Sequence, residues 1–124
     1  MNFTIIWRNS FKGQTMNPIH ALCKRYGPPF LKRKIWDREF SSGKWGTGDL
    51  ADCHSAIIPV LEKYARGGNI LDLGCGWGKT GLVLDPSTYS EYLGVDISDV
   101  AVDRGNELCS LHGRGERTGW LEAT

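Results

Sequence analysis

Five residues have types and spacing that could form a binding site: Asp72, Gly74, Gly76, Gly78 and, 24 residues after Asp72, a second acid, Asp96. The glycines belong to the segment ILDLGCGWGKTG. Glycine allows a backbone to approach a ligand closely and to adopt conformations that other residues resist. Where such a turn leads into a helix, free N–H groups and the helix dipole favour negative or polar groups. The segment therefore predicts a site for an adenosine ligand or a nucleotide.

One interpretation is a phosphate-binding P-loop, G-x-x-x-x-G-K-[ST], because Gly78-Lys79-Thr80 follows a predicted strand. The first glycine of that motif would have to stand at position 73, which is Leu73. Without it, the loop lacks the wide set of N–H groups that wraps a phosphate. The sequence therefore disfavours an NTPase.

A second interpretation is the dinucleotide motif G-x-G-x-x-G, which Gly76, Gly78 and Gly81 satisfy, with Asp96 at the distance expected of a ribose ligand. Asp72 weighs against it. A carboxylate at the end of the first strand would repel the pyrophosphate of a dinucleotide. An NAD-dependent oxidoreductase remains the alternative.

The third interpretation is D-x-G-x-G-x-G, met by Asp72, Gly74, Gly76 and Gly78, and here the sequence closely resembles motif I of class I S-adenosylmethionine (SAM)-dependent methyltransferases. SAM has no phosphate and carries an ammonium group. The resemblance therefore implies that Asp72 helps to hold the amino-acid end of SAM, directly or through water. It also implies that Gly74, Cys75 and Gly76 line the methionine and ribose part of the pocket, mainly through backbone groups.

The segment Tyr92–Ser98, YLGVDIS, resembles the second motif of the same family. The resemblance implies that Asp96 accepts hydrogen bonds from both ribose hydroxyls and that Ile97 covers one face of the adenine. Ser98 is suited to cap the next helix. The two motifs together predict SAM as the cofactor.

Aromatic residues before these motifs resemble the W-x-x-x-F/Y…W segment of small-molecule methyltransferases, whose aromatics fold over SAM. Trp36, Phe40 and Trp45 are the candidates, and Trp45 is favoured because an aromatic face suits a sulfonium cation. Trp36 and Phe40, four residues apart on a helix, are equally suited to the core. The predicted cofactor-binding residues are Trp45, Asp72, Gly74, Cys75, Gly76, Gly78, Asp96 and Ile97, with no catalytic residue and no metal ligand assigned.

The spacing of apolar residues predicts the elements that position this site. Helices are expected over 17–27, 30–40, 49–66, 77–84 and 98–111, and strands over 69–73 and 92–96. The short apolar run Asn69–Leu73 suits a strand buried on both faces of a parallel sheet. Pro59 is expected to bend its helix. The fold class is α/β, a Rossmann-like parallel sheet with flanking helices and an N-terminal helical cap, incomplete because only two strands are clear.

The predicted organisation has four parts. Residues 1–16 form a flexible leader, 17–48 a helical lid segment, 49–111 a partial SAM-binding domain and 112–124 a flexible tail. The family has a larger sheet, so the chain resembles a methyltransferase truncated after its second βα unit. We expect weak SAM binding, poor methyl transfer to a small-molecule acceptor, and self-association through an open sheet edge. A non-catalytic binding or regulatory fragment is a further alternative.

The formal net charge of +1 conceals an asymmetry: residues 1–48 carry 9 basic and 2 acidic residues, and residues 49–124 carry 6 and 12. A basic segment can bind nucleic acid, but a solvated helix face that complements the acidic half is the favoured explanation, since no basic run exceeds Lys32-Arg33-Lys34. Nucleic acid is therefore disfavoured. The four cysteines form no C-x-x-C pair, and no apolar stretch is long enough for a membrane span. These features predict a reduced, cytoplasmic protein with no membrane partner.

Overall fold

The computed structural model describes residues 3–7, 17–46, 56–115 and 118–123. The helices are α1 (Pro18–Tyr26), α2 (Pro29–Ser41), α3 (Ile58–Tyr64), α4 (Lys79–Val83) and α5 (Asp99–Leu111). The strands are β1 (Phe3–Trp7), β2 (Asn69–Leu73), β3 (Glu91–Asp96) and β4 (Thr118–Glu122). All four strands run parallel in one sheet, in the order β1-β2-β3-β4. The predicted α/β class with a parallel sheet is therefore confirmed.

Two helices begin where side chains can cap them. Asn17 accepts a hydrogen bond from the backbone N–H of Ile19, and Pro18 occupies the first turn of α1. Ser98 accepts from the N–H of Ala101 at the start of α5. Because the first N–H groups of a helix have no partner within it, such caps fix its start, as the sequence predicts.

The segments 1–16 and 112–124, predicted to be flexible, each contain a strand, so the described sheet has four strands and not the two expected. Within the leader, Phe3–Trp7 is β1 and pairs with β2. Within the tail, Thr118–Glu122 is β4 and pairs with β3. The run FTIIW of β1 consists of aromatic and β-branched residues typical of strands, a signal that the prediction of a flexible leader overlooked, whereas TGWLE of β4 carries a weaker pattern. Each is held by hydrogen bonds to a neighbouring strand that is distant in sequence, since backbone N–H and C=O groups must be paired.

The predicted bend at Pro59 is wrong. Pro59 lies in the first turn of α3, where its missing N–H removes no helical hydrogen bond. The earlier part of the predicted helix, residues 49–55, lies outside the described residues. No helix of the described ranges is both long and apolar enough to cross a membrane.

Burial alternates along the two central strands. Ile70 and Asp72 of β2 are buried, as is every second residue of β3 from Tyr92 to Asp96, whereas the alternate residues Leu71, Leu93 and Val95 are only half-buried. Ile70 and Tyr92 belong to one hydrophobic core, to which α3, α4 and α5 contribute Leu61, Leu82 and Leu108. Asp72 and Asp96 therefore lie on the same, helix-covered face of the sheet.

Gly81 of α4 packs directly on the ring of Tyr92. A Cβ at position 81 would lie 2.5 Å from Tyr92 Cε1 and 2.7 Å from Cδ1. Because that ring is only 2% exposed, it has no room to move aside. We expect Gly81→Ala to destabilise the fold by about 2 kcal/mol, despite the better helix propensity of alanine.

Urea denaturation measures this effect. Gly115→Ala is the matched control, because a Cβ there would meet nothing within 4 Å. The control should change the free energy of unfolding by less than about 0.5 kcal/mol. Equal unfolding midpoints for Gly81→Ala and the parent chain would contradict the prediction.

Candidate functional site: the glycine turn and the carboxyl edge of the sheet

The turn between β2 and α4 is built on alternating left-handed residues. Gly74, Gly76 and Gly78 have φ values of 73°, 57° and 69°. Any other residue type would be strained at these three positions. The spacing G-x-G-x-G is therefore a requirement of the backbone path.

The N–H groups of this turn are bonded inside the chain. Those of Gly74 and Cys75 donate to the carbonyl of Val95 at 2.8 and 3.2 Å, and that of Gly78 donates to the carbonyl of Cys75 at 3.0 Å. The N–H of Gly76 donates to Asp96 Oδ2 at 2.8 Å. A phosphate-binding turn offers its N–H groups to the anion. The bonding of these four groups weighs against a P-loop or a pyrophosphate site.

Asp96 ends β3 with its side chain against the turn. Oδ2 accepts from Gly76, Oδ1 accepts from the N–H of Ser98 at 2.9 Å, and the residue is 8% exposed. Burial raises the pKa of Asp96 above its usual value; backbone hydrogen bonds from Ser98, Gly76 and Ile97 offset part of this increase, and the charge of Asp72 adds to it. An ionised carboxylate accepts about four hydrogen bonds, so these backbone donors do not use the full acceptor capacity of Asp96.

Asp72 lies on the same side of the sheet but is fully buried. Its Oδ2 accepts the hydroxyl of Tyr92 at 2.5 Å. Its carboxylate contributes negative charge near Asp96, as the effect on the pKa of that residue indicates. With Asp72 at 0% exposure, a ligand cannot touch its carboxylate in this conformation. Its role as a cofactor-binding residue stays a prediction.

Cys75 and Ile97 occupy different surroundings. The side chain of Cys75 is buried, and its thiol donates to the carbonyl of Gly76 at 3.3 Å, so only its backbone belongs to the turn surface. Ile97 lines a cleft of about 560 Å³ together with Ala123 and residues of α2 that include Phe30 and Arg33. Of the predicted cofactor-binding residues, Ile97 lines this cleft. A cleft of about 420 Å³ near the opposite edge, beside Asn69 and Ser90, contains none of them.

Helix α2 lies across the carboxyl ends of the strands. The ring of Phe40 comes within 3.3 Å of the position that a Cβ of Gly76 would take. Ser98 Oγ, just after β3, donates to Asp37 Oδ1 at 2.6 Å. Arg33 forms an ion pair with Glu122 of β4. Ligands of parallel α/β sheets bind at this edge, so α2 covers the place where one is expected.

Four aromatic residues form a cluster on the inner side of α2. The ring centroids of Trp36 and Trp45 are 5.7 Å apart, those of Phe40 and Trp45 6.4 Å, and those of Phe40 and Trp77 6.1 Å. Phe40 packs both on the core and on Gly76, so its interpretation as a core residue is confirmed and its place over SAM stays a prediction. The sequence reasoning did not single out Trp77, although it stands inside the glycine motif.

Sequence reasoning also missed Glu39, a buried carboxylate at the centre of this cluster. It is 5% exposed and accepts hydrogen bonds from Lys24 (2.7 Å), Lys44 (3.0 Å) and Trp45 Nε1 (3.0 Å), and it lies 3.0 Å from His20 Nε2. Burial alone would raise the pKa of Glu39, but the bonds from Lys24, Lys44 and Trp45 together lower it from 4.5 to about 2.

A signal for Glu39 was present in the sequence. Residues 1–48 contain nine basic residues and only two acids, Asp37 and Glu39. Both acids point inward, one to Ser98 and the other to the aromatic cluster. An isolated acid in a basic segment is surrounded by potential ion-pair donors, which favours its burial as a shared acceptor.

Comparison with known proteins supports the fold. No protein-family model matches the chain, and no curated protein matches it. The solved structures similar to it include the YcgJ protein of Bacillus subtilis, with 27% identity, a TM-score of 0.50, and coverage of 57% of this chain and 31% of that one. The [4+2]-cyclase SpnF aligns with 22% identity and a TM-score of 0.51, covering 60% and 27%.

A third similar structure is titled "Conversion of a Disulfide Bond into a Thioacetal Group during Echinomycin Biosynthesis". It aligns with 23% identity and a TM-score of 0.52, covering 88% of this chain and 40% of that one. The chain thus spans between 27% and 40% of the length of these three proteins. The sheet and its helices define a partial Rossmann-like α/β fold.

Proposed function

We propose that this chain is the SAM-binding part of a SAM-dependent methyltransferase. The observation that carries the proposal is the contact between its two motifs: Asp96, at the end of β3, accepts the N–H of Gly76 in the turn after β2. A carboxylate suited to ribose hydroxyls therefore adjoins a glycine turn whose backbone can lie close to a ligand.

The charges near the turn favour SAM over a dinucleotide. Asp72 and Asp96 are both buried beside it. The pKa of Asp96 is raised mainly by burial and in part by the negative charge of Asp72. Two neighbouring carboxylates repel each other and attract a cation. SAM brings a sulfonium and an ammonium to this region, whereas NAD would bring a pyrophosphate. The negative potential of the site therefore suits the first ligand and opposes the second.

In the proposed complex, each predicted residue has a stated role. Asp96 accepts from the ribose hydroxyls, Ile97 covers an adenine face, and Gly74, Gly76 and Gly78 shape the backbone under the methionine part. Cys75 contributes only backbone groups, and Asp72 acts mainly through its charge. Trp45 is assigned to the lid, because its ring packs on Phe40 and the ring of Phe40 lies over Gly76.

The acceptor is proposed to be a small molecule. Methyl transfer from a sulfonium requires little acid or base assistance, so the protein contributes mainly the alignment of the two reacting atoms. No catalytic residue is assigned. The outer sides of β1 and β4 have no neighbouring strand among the described residues, and we propose self-association there. A cytoplasmic location is proposed because Cys23, Cys75 and Cys109 are free thiols.

Isothermal titration calorimetry tests the cofactor assignment. S-adenosylhomocysteine, the product form of SAM, should give saturable heat with the chain, and NAD should give none. The physical reason is the two buried carboxylates, which repel pyrophosphate. Saturable heat with NAD and none with S-adenosylhomocysteine would replace the methyltransferase assignment with a dinucleotide-dependent one.

A further inference from the structure

We propose that Glu39 is a positioning residue that holds Trp45 over the cofactor site and thereby sets the affinity for the cofactor. The inference rests on the proposed function, because it assigns to Trp45 a place on the lid side of the SAM pocket. It adds to that function a buried acid of α2 that neither motif contains.

The orientation of Trp45 depends on side-chain contacts. Trp45 follows α2 in a turn and precedes Gly46, whose φ is 91°, so no helical backbone constrains its indole. The indole Nε1–H donates to Glu39 Oε2 at 3.0 Å. On its faces the ring meets Trp36 and Phe40, at centroid distances of 5.7 and 6.4 Å. The hydrogen bond to Glu39 is therefore the directional contact that selects one indole orientation.

Glu39 is itself held rigidly. Its Oε2 also accepts from Lys24 at 2.7 Å, and its Oε1 accepts from Lys44 at 3.0 Å. The Lys24 ammonium lies 3.8 Å above the ring of Trp36, so it is bound on both sides. Hydrogen bonds to an ionised, buried carboxylate are stronger than neutral ones. Glu39 therefore joins α1, α2 and the turn after α2 into one unit that carries Trp45.

This unit reaches the glycine turn through Phe40. Phe40 lies beside Trp45 on one side and, on the other, within 3.3 Å of the position that a Cβ of Gly76 would take. Gly76 in turn donates to Asp96. A change in the orientation of Trp45 therefore alters the packing directly above the turn and the sugar-binding acid.

The test compares Glu39→Gln, Trp45→Phe and the double variant, each confirmed to be fully folded, by calorimetric titration with S-adenosylhomocysteine. Trp45→Phe keeps an aromatic ring but lacks the N–H. Each single variant should weaken binding by about tenfold. The double variant should bind with the same affinity as the weaker-binding single variant, because both substitutions remove the same contact. Glu107→Gln, which breaks an exposed ion pair of α5, is the charge-matched control and should bind as the parent does.

A second readout needs no ligand. The difference between the near-ultraviolet circular dichroism of the parent and of Trp45→Phe isolates the signal of the Trp45 indole. This signal should be lost in Glu39→Gln, because the indole is reoriented. It should be kept in Glu107→Gln, because a distant charge does not move the indole. Parent-like affinity in folded Glu39→Gln, or in Trp45→Phe if Glu39→Gln does not fold, would overturn the inference and leave the proposed function standing. Additive losses in the double variant would also overturn it. Failure of the parent chain itself to bind would remove the proposed function, and this inference with it.

Discussion

Replacing Asp96 by alanine should lower the affinity for S-adenosylhomocysteine at least about a hundredfold. In the proposed complex both ribose hydroxyls donate to this carboxylate, and a hydrogen bond to a charged group contributes about 1.5–3 kcal/mol. Two such bonds correspond to at least about 3 kcal/mol, and each 1.4 kcal/mol is about a factor of ten in affinity. Calorimetric titration measures the change directly.

Two further variants separate ligand contact from turn stability. Asp96 also accepts the N–H groups of Gly76 and Ser98, so the alanine variant loosens the turn as well. Asp96→Asn keeps the shape and one acceptor oxygen, and its affinity should lie between those of Asp96→Ala and the parent chain. Asp103→Ala, an exposed acid of α5, should leave binding unchanged. Parent-like affinity of Asp96→Ala would refute the assignment of Asp96 to the ribose.

The stability of the fold should fall by about 3 kcal/mol as the pH is lowered through the range in which Glu39 titrates. Its pKa is lowered from 4.5 to about 2, because hydrogen bonds from Lys24, Lys44 and Trp45 outweigh the opposing effect of burial. The folded chain therefore binds this proton less readily than the unfolded chain. The stabilisation is complete above pH 4.5 and is lost as the pH falls towards about 2. Each unit of pKa difference corresponds to about 1.4 kcal/mol.

Urea denaturation at a series of pH values measures this loss. Other carboxylates titrate in the same range, so the informative quantity is the difference in free energy of unfolding between the parent chain and Glu39→Gln. That difference should be largest near neutral pH and should shrink steadily below pH 4.5. In Glu107→Gln the difference from the parent should stay small throughout. Parallel profiles for the parent and Glu39→Gln would show that Glu39 does not have a lowered pKa.

Much of the candidate site could be predicted because its signals are local. The glycine spacing at 74, 76 and 78 reflects a backbone path that only glycine follows without strain. Asn17 and Ser98 cap helices by contacts that span only two or three residues. The apolar runs of β2 and β3 were also clear, although the expected burial on both faces is not found, because only one face of each strand is fully buried. These features depend on neighbours in the sequence, so a single segment suffices to indicate them.

The environment of the two acids was predicted only in part. The sequence indicated that Asp72 and Asp96 end neighbouring strands, and in the structure they share one face. The contact of Asp72 with the hydroxyl of Tyr92 depends on the register of β2 against β3, which pairs Ile70 with Tyr92. Strand register is a property of two segments together. The burial of Asp72 therefore could not be deduced from either strand alone.

The amino-acid sequence by itself determined the glycine turn, the central strands, the helix caps and the two acids that flank the turn. Only the tertiary structure decided that residues 3–7 and 118–122 join the sheet as its outer strands. It also decided that Glu39 accepts hydrogen bonds from side chains of α1 and of the turn after α2. The physical reason is the same in both cases. A single strand and a buried charge are each unstable alone, and each becomes stable when distant parts of the chain supply its hydrogen-bond partners.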